Sequence, residues 1–286
     1  MLRCFLAALT AAALTVGAHA APAFWTVHGP KGGTVYLVSS LHLLPRGTEW
    51  HDDSIEQAMR NANSFVFEVP TGVDEHREET RFIYHRGLLP DGQTLSALLD
   101  ETGKRDYARA LALAGMDASA LDQKQPWLAS VVLTVQAMYR RNYSAENTPE
   151  GYAHYFAARG GKDIRYLDTT RQQMEFLADS NPDGDIGRFS AVLADFPNQA
   201  EREQHFVDAW LKGDVSTTAT LISTGLHNYP EVWGRLIDRN KDWADQIGDM
   251  LREKRTFFVA VGIAHLVGPQ GVPALLRAKG IAVEGP

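Results

Sequence analysis

Val35-Tyr36-Leu37-Val38-Ser39-Ser40-Leu41-His42-Leu43 and Phe258-Val259-Ala260-Val261-Gly262-Ile263-Ala264-His265-Leu266 lie near opposite ends of the chain and match position for position. Each runs from apolar residues through small ones to a histidine. Apolar runs of this length, rich in Val and aromatic residues and bounded by turn residues, read as buried strands. Each histidine then falls just past the carboxyl end of a strand, where loops leave an open α/β sheet and crevices form. Two histidines delivered by equivalent units can converge on one metal ion. The plainer reading is two unrelated buried strands.

Further strands and helices read outward from these two units. Thr34 to Ser39 is a first strand, Asp52 or Asp53 caps a helix through about Asn61, and Ser64 to Val69 is a second strand. Strand, helix, strand suggests a parallel crossover. If those two strands are parallel neighbours, Glu68 sits close to His42. From Asp74 to about Asn240 apolar residues recur mostly at helical spacing, with Pro126 at a favourable helix start. Asp163-Ile164-Arg165-Tyr166-Leu167 reads as one short strand there, Asn181-Pro182-Asp183-Gly184 as a turn, and Glu75 to Arg81 as a solvated helix face. Strand character returns at Thr256 to Val261. A helix over Val272 to Ala278, a stop at Gly280 and a last strand at Ile281 to Val283 follow. The expected fold is α/β: a central mixed or parallel sheet built from both chain ends, with a large helical insertion over 74–240 in a single unit spanning 21–286.

The first twenty residues read as a cleaved secretory signal peptide. Met1-Leu2-Arg3 is a basic start, Phe5 to Val16 an apolar stretch too short to span a bilayer, and Ala18-His19-Ala20 a small-x-small cleavage site. Export to the periplasm or beyond is the expected outcome. Cys4 is the only cysteine and leaves with the peptide, so the mature chain forms no disulfide. Removing 20 of 286 residues leaves 266, enough for a substantial core. Removing Arg3 from 28 basic residues leaves 27 against 35 acidic ones, a net charge of −8. That balance disfavours nucleic acid or an anionic membrane surface as partner, and no second apolar run suggests membrane insertion of the mature chain.

Several chemistries lack their motifs. There is no Gly-x-Ser-x-Gly elbow, no His-Glu-x-x-His helix, no Walker loop and no Gly-x-Gly-x-x-Gly fingerprint. Gly29-Pro30-Lys31-Gly32-Gly33 reads as a hairpin or loop turn, and Asp183-Gly184-Asp185 lacks the remaining ligands of a calcium loop. What remains is His42, His265 and Glu68. Glu68 interrupts the apolar strand Phe65-Val66-Phe67-Glu68-Val69, and a buried carboxylate must be paired, hydrogen-bonded or metal-bound. Two imidazoles and a carboxylate suit Mn, Fe, Co or Zn and leave positions for water and substrate. The bland alternative is two satisfied loop histidines and a salt-bridged glutamate.

The chain resembles the TraB/GumN family, also called Tiki-like or PrgY-like, over nearly its whole mature length. That family carries a Gly-x-x-His motif near each end and a glutamate closing an early strand. Here these are Ser39-Ser40-Leu41-His42, Gly262-Ile263-Ala264-His265 and Glu68. Phe24-Trp25 entering the first strand, Leu43-Leu44-Pro45 after the first histidine, Asp238-Arg239-Asn240-Lys241-Asp242-Trp243 before the last core strand and Phe257 to Pro269 look like the bacterial GumN branch. Ser39 stands at the first motif's glycine position, and Asp168-Thr169 replaces a glutamate-threonine, with Gln173 following at the family spacing. The resemblance implies a fold like that of Tiki proteins, erythromycin esterases and the haem-binding ChaN group. It further implies a Mn- or Co-dependent hydrolase acting on a peptide or small amide, with His42, His265 and Glu68 as metal ligands.

Arg239 and Asn240 admit two readings. Either they form a helix-surface pair ahead of a packed Trp243, or Arg239 reaches the site and binds a substrate carboxylate or developing oxyanion. Glu68 likewise serves as ligand or general base. A second class of function also fits: a non-catalytic periplasmic protein that sequesters a peptide, metal or haem.

Overall fold

The computed structural model describes residues 21–179, 186–227 and 229–286. The expected signal peptide and the Asn181-Pro182-Asp183-Gly184 turn therefore lie outside the described residues. In chain order the strands are β1 Phe24–His28, β2 Thr34–Ser40, β3 Leu44–Pro45, β4 Ser64–Phe67, β5 Tyr143–Ser144, β6 Asp163–Tyr166, β7 Thr256–Gly262 and β8 Ala282–Glu284. The helices are α1 Asp53–Asn61, α2 Val73–Arg86, α3 Glu101–Ala114, α4 Pro126–Arg140, α5 Pro149–Arg159, α6 Thr170–Asp179, α7 Ile186–Asp195, α8 Gln199–Leu211, α9 Val215–Leu226, α10 Pro230–Met250 and α11 Val272–Ala278. No helix among the described residues is long and apolar enough to cross a membrane.

One mixed sheet runs β6-β4-β7-β2-β1-β8. Its four strands β6, β4, β7 and β2 are mutually parallel, while β1 lies antiparallel to both β2 and β8. The fold is α/β, and the sheet is built from both chain ends. The strand expected at 163–167 joins it as an edge. Two local expectations are corrected. Phe24-Trp25 does not lead into the first strand but begins a strand of its own, folded back by the Gly29–Gly33 turn. In that turn Gly29 N–H bonds Gly33 O at 2.8 Å, and Gly32 takes a φ of +86°, a backbone region glycine enters without strain. The second correction concerns neighbours. β2 and β4 are parallel but not adjacent, because β7 lies between them. A strand from the far end of the chain fills the slot, so sequence proximity gave the wrong partner.

The register carries a further consequence. Val35 pairs with Phe257 and Ser40 with Gly262. The sequence repeat instead matches Val35 to Phe258 and Ser39 to Gly262. The two units are therefore offset by one residue in the sheet, and a one-residue offset turns equivalent side chains to opposite faces.

Why the sheet is buried follows from its residues. Val35, Leu37, Phe65, Val66 and Phe257 to Ala260 are fully buried, as a parallel sheet covered on both faces demands. α5 lies against β2, β4 and β7, where the Phe156 and Phe65 rings meet at 5.8 Å. α1 starts where expected, its Asp52 side chain accepting from Ser54 N–H at 2.8 Å, and buries Ile55, Ala58 and Met59. Trp243, Ala244 and Ile247 of α10 and Val272 and Leu276 of α11 share the same core. The insertion has a second core among α3, α4 and α7, centred on Tyr107, Leu111, Leu133 and Phe189. α2 presents a largely exposed face with an Asp74–Arg77 pair, as its charge pattern suggested.

The exposed edge strand β6 is held by charge. Arg165 donates from Nη1 and Nη2 to the two oxygens of Glu253 at 2.7 and 3.1 Å, and its guanidinium stacks over Phe257 at 5.1 Å. The Arg165 guanidinium beside Glu253 holds that carboxyl below the usual glutamate range. A carboxylate with a depressed folded pKa adds stability above its unfolded pKa, about 4.3, and loses it as pH falls through the folded value. Both groups are about a third exposed, so solvent screening keeps the contribution to roughly 1 kcal/mol or less. Glu253→Gln should lower the urea midpoint slightly at pH 7 and by less as pH falls below about 4, as read by circular dichroism. A deficit that persists undiminished at pH 3 would contradict this assignment.

Candidate functional site

The four parallel strands end on one edge, and each is followed by a polar side chain: Asp168 after β6, Glu68 after β4, His265 after β7 and His42 after β2. All four sequence-derived positions that matter, His42, Glu68, Arg239 and His265, are brought to this edge, but not as one cluster.

Glu68 is 3% exposed, so its charge must be met by protein. Backbone pairing continues past β4, with Asp168 N–H donating to Glu68 O at 2.8 Å. That pins the main chain from which the carboxylate projects. Glu68 Oε1 accepts from the backbone N–H of Gly262 at 2.7 Å, and Oε2 stands 3.6 Å from Arg239 Nη2. A Cβ on residue 262 would come within 3.1 Å of Glu68 Oε1 and 3.9 Å of His265 Cδ2. The second motif's glycine is thus a matter of space: its bare backbone leaves room for the Glu68 carboxylate.

Arg239 is not a surface residue. It projects from α10 with its side chain 10% exposed. Its Nε donates to Asp168 Oδ2 and its Nη2 to Gln173 Oε1 at 2.6 Å. Its plane lies over the Trp243 ring at 4.8 Å and the Phe176 ring at 5.3 Å. Asp168, 9% exposed, also accepts from Trp243 Nε1 at 3.1 Å. Two buried carboxylates therefore share one guanidinium, a task suited to its planar fork. Asn240 is likewise buried, which removes the helix-surface reading for both residues.

The two histidines differ sharply. His265 is 6% exposed, its Nδ1 lies 2.6 Å from Asn240 Oδ1, and its ring packs 4.1 Å from Trp243. Burial pushes its pKa down to about 3, so it is neutral at any ordinary pH. His42 has a side chain 68% exposed, with Nδ1 3.8 Å from Glu150 Oε2 at the start of α5. Glu150 raises its pKa to about 9. Glu150 is itself placed by its backbone N–H, which donates to Ser40 Oγ at 3.2 Å. The electrostatic influence of Glu68, Arg239 and His42 reaches His265, so the groups share one neighbourhood. Glu68, however, contacts the Gly262–His265 turn and not the chain at His42, because β7 separates β4 from β2.

Beside His42 opens a cavity of about 830 Å³. Leu41 and Leu43 form one wall, and Val135, Met138, Phe206 and Leu221 from α4, α8 and α9 form much of the rest.

Among the described residues no three His, Cys, Asp or Glu side chains stand in an arrangement that could hold a metal ion. Imidazole nitrogen and carboxylate oxygen are donor types that suit divalent ions in general. His265 has Nδ1 bonded by an oxygen acceptor, the outer-shell contact typical of a ligating histidine, and Glu68 and His265 both lie beside Gly262. Sequence reasoning passed over Glu150, Gln173 and Asp168 as site members. Asp168 carried the same signal as Glu68, an acid at the close of a strand. Glu150, on a helix start far along the chain, carried none.

Ser39, at the first motif's glycine position, has its own structural role. It is fully buried and its Oγ accepts from Trp210 Nε1 at 3.1 Å. The register offset places Ser40, not Ser39, opposite Gly262, so no close approach like that at Gly262 is required here. Ser39→Gly should therefore cost about 1–3 kcal/mol, the penalty of an unpaired buried N–H. Urea unfolding followed by tryptophan fluorescence measures it; an unchanged or raised stability would show that the hydroxyl does not matter.

No curated protein and no solved structure matches the chain. A family model described as the TraB/PrgY/gumN family matches residues 23–285, from the start of β1 to the end of β8. The chain, nearly end to end, belongs to the TraB/PrgY/gumN family.

Proposed function

We propose that this is an exported metal-dependent hydrolase that cleaves a peptide or similar amide bond. The observation that carries the reading is that a buried carboxylate, Glu68, and a buried, neutral imidazole, His265, both lie beside Gly262 at the carboxyl edge of a parallel sheet. His265 Nε2, Glu68 and His42 are the groups that would hold the ion, with Mn or Co implied by the family and Zn or Fe compatible with the donors. When bound, such an ion lowers the pKa of a coordinated water and polarises the scissile carbonyl.

The chain's own residues supply the rest. His265 contributes a lone pair without competition from a proton. Glu68 takes a proton from the attacking water and returns it to the departing nitrogen as the carbon–nitrogen bond breaks. Gly262 N–H and Arg239 hold that carboxylate in place, and Asp168 and Gln173 hold Arg239. Arg239 cannot swing freely; it acts as a fixed positive charge beside any oxyanion that forms. His42 reaches the set by exchanging its contact with Glu150. The amino-terminal twenty residues support export, with the mature chain beginning at Ala21.

A second reading, sequestration of a ligand without turnover, is favoured by the apolar cavity beside His42, whose volume lies in the range of small-molecule sites. The experiment is metal analysis of the mature protein, with peptide turnover measured under added Mn²⁺ or Co²⁺ and under chelator. Glu68→Gln, which keeps an acceptor for Gly262 N–H, should lower turnover by about 10²–10⁴-fold while metal stoichiometry persists if Glu68 is the base. Loss of both identifies it as a ligand. His265→Ala should abolish tight metal binding. A folded His265→Ala variant that binds Mn²⁺ or Co²⁺ like the parent and keeps its activity would overturn the hydrolase reading, and metal uptake without turnover would favour sequestration.

A further inference from the structure

We infer that Asn240 is the positioning residue that fixes the tautomer of His265, placing the proton on Nδ1 and leaving Nε2 as a bare lone pair. Its use in water activation rests on the hydrolase reading; the tautomer assignment does not.

The inference follows from which atoms can donate. An asparagine amide has one end that only accepts and one that only donates, and its orientation is decided by its neighbours. Asn240 Nδ2 lies 2.9 Å from the backbone carbonyl of Gln270, which can only accept. The NH₂ end must therefore face Gln270, and the oxygen end must face the imidazole. Asn240 Oδ1, 2.6 Å from His265 Nδ1, can only accept, so Nδ1 must carry the hydrogen. The reverse arrangement would set two acceptors against each other at Gln270 and leave Nδ1 facing an N–H. Asn240 is 2% exposed, so no water competes for either contact.

The ring is fixed in orientation as well as protonation. Trp243, one turn further along α10, covers its face at 4.1 Å with the planes 34° apart. Cδ2, the ring carbon bonded to Nε2, faces Gly262 and thereby the Glu68 carboxylate. One helix therefore grips the imidazole twice, by its Nδ1 edge and by its face, and turns the other side toward the carboxylate. A free histidine in water prefers the opposite tautomer, with the proton on Nε2. The asparagine reverses that preference and leaves Nε2 without a hydrogen.

The test is ¹⁵N–¹H correlation spectroscopy of the uniformly labelled mature protein, with the His265 ring signals identified by their loss in His265→Gln. The parent should show a protonated Nδ1 and an unprotonated Nε2. Asn240→Asp keeps an acceptor at Nδ1 and should keep that tautomer, although it loses the donor to the Gln270 carbonyl. Asn240→Ala should shift the population toward the Nε2–H form. A parent with its proton on Nε2, or an Asn240→Ala variant that holds the Nδ1–H form unchanged, overturns the inference; the parent spectrum alone decides it if the alanine variant fails to fold. In parallel, Co²⁺ titration should show Asn240→Ala binding about 10–100-fold more weakly than the parent, with Asn240→Asp close to it. A parent that binds no Co²⁺ but shows the Nδ1–H tautomer would sink the metal reading while supporting the role of Asn240.

Discussion

A carboxylate buried at the end of a central strand is the constraint around which this structure is arranged. Glu68 has almost no contact with water, and an unpaired buried charge would cost more than a small domain's entire stability. Its environment is assembled from three distant parts of the chain: the backbone N–H of Gly262, the guanidinium of Arg239, and the β6 extension that pins its main chain. Arg239 in turn is fixed by Asp168 and Gln173 and sandwiched by Trp243 and Phe176. Removing one member of such a buried set typically costs about 3–5 kcal/mol, because it strands the opposite charge. The helical insertion is thereby coupled to the sheet: α6 and α10 supply the groups that make the sheet's buried acid tolerable.

How much of this was legible in the sequence depended on whether the signal was local. The strands at 34–40, 64–67 and 256–262 and the helix starts at Asp53 and Pro126 were readable, because apolar runs and caps act through neighbouring residues. The edge on which His42 and His265 emerge followed from strand direction alone. The order of strands did not, since nothing in a strand's own residues says that a segment from the other end of the chain will lie between it and its sequence neighbour. For the same reason Glu68 belongs with Gly262 and not with the turn after β2. The repeat of the two histidine units was real as a pattern but misleading as a superposition, because the sheet pairs them one residue out of step.

That single-residue step gives physical meaning to the difference between the histidines. His265 ends in a tight turn at Ile263–His265, tucked under Trp243 and bonded to Asn240. His42 follows β2 onto an open rim and meets Glu150 beside the apolar cavity. One is stripped of solvent and neutral; the other is matched to a carboxylate and favours its charged form. The serine at the first motif fits the same logic. Because Ser39 is not the residue opposite Gly262, it is free to carry a side chain, and that side chain satisfies a tryptophan N–H in the core.

The two halves of the edge therefore differ in burial and in how firmly their side chains are held. The Glu68–Arg239–Asp168 assembly and the His265–Asn240–Trp243 assembly are buried and held by hydrogen bonds and ring contacts. Both hang on α10, so a single helix sets the distance between the carboxylate's counter-charge and the imidazole's bare nitrogen. His42 and its loop, by contrast, are exposed, held by one longer contact, and border a cavity large enough for a ligand. A buried, hydrogen-bonded side next to an exposed side bordering a cavity is the arrangement this sheet edge presents. It arises because a strand from the end of the chain was placed between two from its beginning.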